Sequence, residues 1–241
     1  ILVAMVGARS AAMSFNRIAD LGLDAANPRT AARALPAGLL SVRFTALFTA
    51  VSAGLLVLAA WQLNPLCLEL SPLALALLFF YSCTKRFTSF SHLVLGCCLG
   101  MAPAAAWMAV RGTLDWPILL LSAAVTLWTA GFDIIYACQD VDFDRRAGLY
   151  SLPRLLGIGR ALQVAALLHV LMLALLGALA VRAGLGWISL AGVGVVAALL
   201  AYEHHLVKPD DLSRVNAAFF TVNGYISVLF FVFWAADVAL L

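Results

Sequence analysis

Apolar residues run through this chain in long stretches that short polar links interrupt. A helix needs about 20 predominantly apolar residues to cross the hydrocarbon core of a bilayer, and each stretch meets that length. We predict eight spans, at residues 1–22, 38–63, 66–84, 90–110, 116–139, 159–181, 184–206 and 214–240. The links between them are too short for a separate soluble domain. The pattern therefore predicts an all-α transmembrane bundle in one domain, residues 1–241.

Composition supports a membrane protein. The chain is 64% hydrophobic and 11% charged, whereas soluble domains average roughly 45–50% apolar and about 25% charged residues. So few charges would not cover the surface of a soluble protein of this length, but a lipid bilayer removes that requirement. The net charge of +3 is small, and we expect no nucleic-acid partner.

The distribution of lysine and arginine predicts the orientation. These residues concentrate in the links after the odd-numbered spans, whereas the opposite links contain only Arg111 and Arg182. Because cytoplasmic loops are enriched in lysine and arginine, the odd-numbered spans should end in the cytoplasm. We expect a bacterial inner membrane protein. Ile1 lies within an apolar run and on the outer side, so we also expect one further helix upstream and nine in the complete protein.

Two clusters of polar residues at helical spacing end the first and fifth spans. They are Asn16, Asp20 and Asp24 in the first cluster, and Asp133, Tyr136, Asp140 and Asp144 in the second. Acidic residues within membrane helices normally face the bundle interior or a water-filled cavity. Crowded carboxylates repel one another unless a cation lies between them, and Mg²⁺ is commonly bound by carboxylates together with substrate phosphates. Two opposed carboxylate faces thus predict a diphosphate–Mg²⁺ site, although a single such cluster is also typical of a solvated loop.

Basic residues accompany both clusters. Arg29 and Arg33 follow the first, Arg145 follows the second, and Lys85 ends the third span one turn after Tyr81. A lysine beside a tyrosine hydroxyl is suited to a phosphate group, because both donate hydrogen bonds to its oxygens. Sorting of positive charge to the cytoplasm is the alternative explanation for these residues. We predict that they bind the diphosphate substrate in the same cavity.

Three segments together resemble a known family. NRIADLGLDAANPRTAARALPAG, YSCTKRFTSFSHLVLG and DIIYACQDVDFDRRAGLYSLPRLLG are similar, in the same order, to the UbiA superfamily of intramembrane prenyltransferases. The patterns NxxxDxxxD and DxxYxxxDxxxD are specific in combination. The stretch QDVDFDRRAGLYSLP looks most like the branch that prenylates 4-hydroxybenzoate or the dihydroxynaphthoate precursor of menaquinone.

This resemblance implies a nine-helix bundle whose first helix is absent from the sequence, with a central cavity open to lipid and covered by cytoplasmic loops. It implies transfer of a polyprenyl group from polyprenyl diphosphate to an aromatic hydroxy acid, in ubiquinone or menaquinone biosynthesis. The implied catalytic residues are Asp20, Asp24, Asp133, Asp140, Asp144 and Tyr136. The implied Mg²⁺ ligands are Asn16, Asp20 and Asp24 for one ion and Asp140 and Asp144, helped by Asp133, for another. The implied substrate contacts are Arg29, Arg33 and Lys85 on the diphosphate, with Tyr81 and Tyr136 near the allylic carbon.

Two other classes of protein use intramembrane acids. A transporter would relay ions or protons through them, but the acids lie at one end of the spans and no internal repeat is visible. A phosphatidyl-alcohol transferase would need a DGxxAR opening, which the residues after Asp20 do not provide. His204 and His205 lie beside Glu203 at the end of the seventh span, and we interpret them as an interfacial loop in preference to a metal site. We interpret His169 as a residue that hydrogen-bonds across helices.

Overall fold

The computed structural model describes residues 1–240 and is 81% helical, without a β-strand in that part of the chain. The helices are α1 (Leu2–Ala19), α2 (Leu21–Ala26), α3 (Val42–Leu63), α4 (Pro65–Thr84), α5 (Ser91–Arg111), α6 (Trp116–Ala137), α7 (Val141–Arg146), α8 (Leu152–Leu156), α9 (Ile158–Arg182), α10 (Trp187–Leu206) and α11 (Asn223–Leu240). A 3-10 turn, Cys138–Asp140, joins α6 to α7, and a π-helical segment, Ala217–Val222, leads into α11.

Within residues 1–240, seven helical segments are long and apolar enough to cross a membrane. The prediction of an all-α membrane bundle is confirmed, and the chain is an integral membrane protein. The predicted first span differs from the rest, because α1 contains Arg9, Asn16 and Arg17 and is followed directly by Asp20. It does not belong to the seven, so the count of eight spans stays a prediction.

The helices pack as neighbouring pairs, with α1 against α3, α5 against α6, α6 against α9 and α10 against α11. Small residues bring α5 and α6 close together: a β-carbon added at Gly96 would lie 2.3 Å from the carbonyl oxygen of Thr126. Close approach of this kind is common between membrane helices. The buried apolar core lies in the second half of the chain, where Ile134, Leu176 and Val196 bring α6, α9 and α10 into contact.

Local sequence explains where the helices begin. The Ser41 side chain accepts a hydrogen bond from the Phe44 N–H (3.1 Å) at the start of α3, and Asn64 accepts one from Cys67 (2.9 Å) at the start of α4. Both are N-caps, which satisfy backbone donors that the first helical turn leaves unpaired. Two longer links, residues 20–41 and 138–157, lie at one end of the bundle.

Candidate functional site

A cavity of about 210 Å³ opens at this end of the bundle. The ends of α1, α4 and α6 form it together with both longer links. Every predicted site residue except Arg145 lines it, namely Asn16, Asp20, Asp24, Arg29, Arg33, Tyr81, Lys85, Asp133, Tyr136, Asp140 and Asp144. The structure therefore brings together two acidic clusters that lie more than 100 residues apart in the chain.

Asp24 is the most enclosed carboxylate of the first cluster, with 6% of its surface exposed. Arg33 donates to its Oδ1 (2.7 Å), and Arg17 lies 3.2 Å from its Oδ2. Sequence reasoning missed Arg17, although its position seven residues before Asp24 places both on one helical face. The two arginines offset the negative charge that burial would otherwise make costly.

Asp20 connects α1 with α4. Its Oδ2 accepts a hydrogen bond from the Asn16 amide (2.8 Å), and its Oδ1 lies 3.0 Å from Arg86 Nη2. The same guanidinium donates to the carbonyl oxygens of Ala19 (2.6 Å) and Ser82 (2.7 Å). Arg86 thus fixes the end of α4 against the end of α1, where both helices meet the cavity.

In the second cluster, Asp140 forms a two-point ion pair with Arg29. Arg29 Nε lies 2.9 Å from Oδ1 and Nη2 lies 2.6 Å from Oδ2, while the Asn27 amide lies 3.4 Å from Oδ1. Arg29 Nη1 also reaches the Tyr136 hydroxyl (3.1 Å), and the guanidinium lies 5.3 Å from that ring's centre. Burial disfavours the charged guanidinium, but the hydrogen bond and charge of Asp140 outweigh this effect and raise the pKa of Arg29. The Arg29 guanidinium is therefore held in its charged form beside Asp140.

Asp133 has a histidine partner in place of an arginine. Its Oδ2 lies 2.6 Å from Nδ1 of His92, which is fully buried, and the Leu152 N–H donates to His92 Nε2 (3.4 Å). Since Nε2 accepts, the histidine proton belongs on Nδ1, where it is donated to Asp133. The link of residues 138–157 is also held in place by the Tyr150 N–H, which donates to the Lys85 carbonyl (2.8 Å).

Asp144 has a carboxylate oxygen that is available to bind a cation. It is 2% exposed, and its Oδ2 has no hydrogen-bond partner among the described residues. Within residues 1–240, no group of three acidic, histidine or cysteine side chains is arranged to hold a metal by itself, and arginines contact Asp20, Asp24 and Asp140. Carboxylate oxygens are suitable ligands for Mg²⁺, which commonly completes its coordination with substrate phosphates and water. The residues present fit such a shared site.

Arg145 lies outside the cavity, unlike the other predicted site residues. Its side chain is 58% exposed and lies 3.6 Å from Asp142, which is itself 87% exposed. The reason is helical geometry: Asp140 and Asp144 are four residues apart and face inward, so the next residue turns away from them. The geometry does not support a substrate contact for Arg145.

A second polar cluster lies deeper in the bundle. His204 and His205 lie within α10, directly after the fully buried Glu203, so the interpretation of the two histidines as an interfacial loop is wrong. His169 Nδ1 lies 2.9 Å from His204 Nε2, which confirms the expected hydrogen bond across helices. His169 and His204 lie 35 positions apart in the chain, so only tertiary packing shows that they meet.

The fold and the cavity together define a helical membrane protein with a mouth of opposed carboxylates and guanidinium groups. Comparison with known proteins identifies its family. The model of the UbiA prenyltransferase family matches residues 1–235, and the chain belongs to this family. This confirms the resemblance in the three motifs, and the chain is accordingly a prenyltransferase.

Individual relatives agree with this assignment. A 4-hydroxybenzoate octaprenyltransferase of Vibrio cholerae is 35% identical over 226 residues, 91% of this chain and 77% of that protein. A UbiA homolog from Aeropyrum pernix K1 superposes with a TM-score of 0.90 at 35% identity, covering 98% of this chain and 87% of the homolog. A homolog from Archaeoglobus fulgidus bound to DMAPP and Mg²⁺ shares the fold, with a TM-score of 0.72 at 22% identity over 100% of this chain and 89% of the homolog.

Proposed function

We propose that this protein transfers a polyprenyl group from polyprenyl diphosphate to 4-hydroxybenzoate in ubiquinone biosynthesis. The observation that carries the proposal is the convergence of both acidic clusters and their arginines on one cavity. The names of the curated relatives, which are 4-hydroxybenzoate octaprenyltransferases, supply the acceptor. A dihydroxynaphthoate is the alternative acceptor, and it would place the protein in menaquinone biosynthesis.

We assign the Mg²⁺ ligands to Asn16, Asp20 and Asp24 on one side of the cavity, and to Asp140 and Asp144, helped by Asp133, on the other. The unpartnered Oδ2 of Asp144 supports this assignment, because a buried carboxylate oxygen without a donor is costly. A related protein of the same fold binds DMAPP and Mg²⁺. Bound Mg²⁺ would supply positive charge that stabilises the departing diphosphate.

The basic residues of the cavity bind the same leaving group. Arg29 and Arg33 present guanidinium donors whose planar fork fits phosphate oxygens as well as the carboxylates that they contact now. The Lys85 side chain lines the cavity without an ion pair to any described residue, so its ammonium is free to meet the diphosphate. These three charges stabilise the negative charge that develops as the C1–O bond breaks.

Tyr81 and Tyr136 are assigned to stabilise the positive charge that develops on the prenyl carbon. As the diphosphate leaves with the bonding electron pair, C1 of the prenyl group gains positive charge, which the face of an aromatic ring stabilises. Tyr136 already offers its ring to the Arg29 guanidinium at 5.3 Å, and Tyr81 lies in the same cavity. The electron-rich ring of the aromatic acid then bonds to C1 and releases a ring proton. Asp133 is the candidate base for this proton, because His92 holds the Asp133 carboxylate at the cavity.

The size of the cavity indicates that the diphosphate head group and the prenyl tail of the donor bind in different places. A volume of about 210 Å³ suits a polar head group, whereas ligand sites for drug-sized molecules span roughly 300–1,000 Å³. We infer that the long prenyl tail extends from the cavity along apolar helix surfaces toward lipid. The lysine and arginine pattern supports a cytoplasmic mouth in a bacterial inner membrane, from which the aromatic acid enters.

A product assay tests this function. Purified protein in nanodiscs is incubated with Mg²⁺, a polyprenyl diphosphate and either 4-hydroxybenzoate or a dihydroxynaphthoate, and products are identified by mass spectrometry. We expect prenylated 4-hydroxybenzoate that disappears with EDTA. Failure to prenylate either acid would contradict the proposal, and ion uptake into sealed proteoliposomes without any prenyl product would favour a transporter.

A further inference from the structure

The π-helical segment Ala217–Val222 forms an aromatic backing for the tyrosine of the cavity. The Phe219 ring lies 4.1 Å from the Tyr136 ring, centre to centre, and tilts by 34°, while the Phe220 ring meets Tyr136 edge-on at 6.1 Å. Neither phenylalanine lines the cavity itself. π-helical turns are rare and occur frequently at functional sites. The segment therefore packs, from outside the cavity lining, against Tyr136, the residue that faces the substrate.

A single amide group supports the unusual backbone of this segment. The Asn223 side chain is buried, and one N–H of its Nδ2 is shared between the carbonyl oxygens of Ala218 (3.2 Å) and Phe219 (3.3 Å). Inside a bilayer, backbone groups that lose helical partners must find others within the protein. Asn223 thus stabilises the wider turn at the position from which Phe219 projects.

Two residues on other helices fix the Asn223 amide. Trp128 Nε1 of α6 donates to Asn223 Oδ1 (2.8 Å), and Asn223 Nδ2 donates to Glu203 Oε1 of α10 (2.9 Å). Glu203 is fully buried. Because the oxygen and the nitrogen of the amide are each engaged by a different helix, the amide cannot rotate without losing hydrogen bonds.

Aromatic contacts lead from this network back to the cavity. Trp128 meets Phe132 edge-on at 5.5 Å, Phe132 meets Phe219 at 5.3 Å, and Phe219 meets Tyr136. The Tyr136 hydroxyl accepts a hydrogen bond from Arg29 (3.1 Å). Tyr136 is therefore oriented from behind by the π-helical segment and from the front by the cavity's ion pair.

We propose that Asn223, fixed by Glu203 and Trp128, is a positioning residue that sets the Tyr136 ring against the reacting prenyl carbon. This inference rests on the proposed prenyl transfer. A displaced ring would shield the developing cation less well and admit water. Water oxygen would then bond to C1 as the C1–O bond breaks, the diphosphate would keep the electron pair, and a proton would pass to solvent. The product of this side reaction is the prenyl alcohol.

The ratio of prenylated acceptor to prenyl alcohol tests the proposal, because it does not depend on how much of a variant is folded. Asn223→Leu removes the hydrogen bonds while nearly preserving volume, and we expect the ratio to fall about tenfold or more, as small misplacements near a reacting centre do. Glu203→Gln retains an accepting oxygen and should keep the parent ratio. The affinity for an unreactive prenyl thiolodiphosphate should stay unchanged.

Asn64→Leu is the matched control. Asn64 also bonds across helices, to the Met108 carbonyl (2.8 Å), but at the opposite end of the bundle, so its loss should not alter the ratio. Phe219→Leu preserves the amide network and removes only the ring contact, and it should lower the ratio as well. An unchanged ratio in either Asn223→Leu or Phe219→Leu, with an active parent, would overturn this inference alone. A parent without any prenylated product would overturn the proposed function and this inference together.

Discussion

Replacement of Asp140 by asparagine tests the cavity most sharply, because the side chain keeps its shape and loses its charge. Asp140 is 8% exposed and accepts two hydrogen bonds from Arg29, at 2.9 and 2.6 Å. Hydrogen bonds to charged groups contribute about 1.5–3 kcal/mol each. At the lower limit, two contacts of this strength amount to about 3 kcal/mol, and contacts to a metal-bound substrate should be at least as strong. At about 1.36 kcal/mol per tenfold, kcat/KM should fall roughly 150-fold.

The assay is steady-state kcat/KM for the prenyl diphosphate, measured over a Mg²⁺ titration. Asp142→Asn is the matched control, since Asp142 lies two residues away and is 87% exposed; its substitution should change kcat/KM by less than about threefold, as for other surface sites. Arg29→Gln should cost less in the Asp140→Asn background than in the parent, because the two side chains act as a pair. A loss for Asp140→Asn no larger than that for Asp142→Asn, or strict additivity with Arg29→Gln, would refute this reasoning.

Two further substitutions, each with a control variant, probe charge and packing. Lys85→Met should raise KM for the diphosphate about tenfold by removing a phosphate contact worth about 1.4 kcal/mol, whereas Arg145→Gln should leave kinetics unchanged; equal effects in the two variants would contradict the assignment. Gly131→Ala places a β-carbon 2.3 Å from His169 Nε2, so overpacking should destabilise the protein by about 1–3 kcal/mol and lower its thermal midpoint in detergent. Gly177→Ala, with open space around it, is the control and should not lower that midpoint.

The sequence predicts the long helices well. The predicted spans 66–84 and 159–181 differ from Pro65–Thr84 and Ile158–Arg182 by no more than one residue at either end, because long apolar runs bounded by Asn64, Gly157 or charged residues leave few alternatives. Helical spacing also brings Asp20 and Asp24, and Asp140 and Asp144, to the same cavity. These features depend on local periodicity, which a sequence displays directly.

The partners of these residues depend on tertiary packing. Arg29 and Asp140 lie 111 positions apart, and His92 and Asp133 lie 41 positions apart. No local sequence pattern distinguishes an arginine that pairs with a carboxylate from one that is free to bind a phosphate. The sequence does not predict the π-helical segment either, because residues on two other helices fix the Asn223 amide that supports it.

Binding of an unreactive prenyl thiolodiphosphate tests the central claim most directly, namely that both carboxylate clusters hold one diphosphate together with a divalent cation. Affinity is measured with and without Mg²⁺ for the parent, Asp24→Asn and Asp140→Asn, with Asp142→Asn as the control. The account predicts tight binding of the parent and the control only with Mg²⁺, and weakened binding when either cluster loses a charge. Equal affinity with and without Mg²⁺, unaffected by both Asp24→Asn and Asp140→Asn, would contradict it.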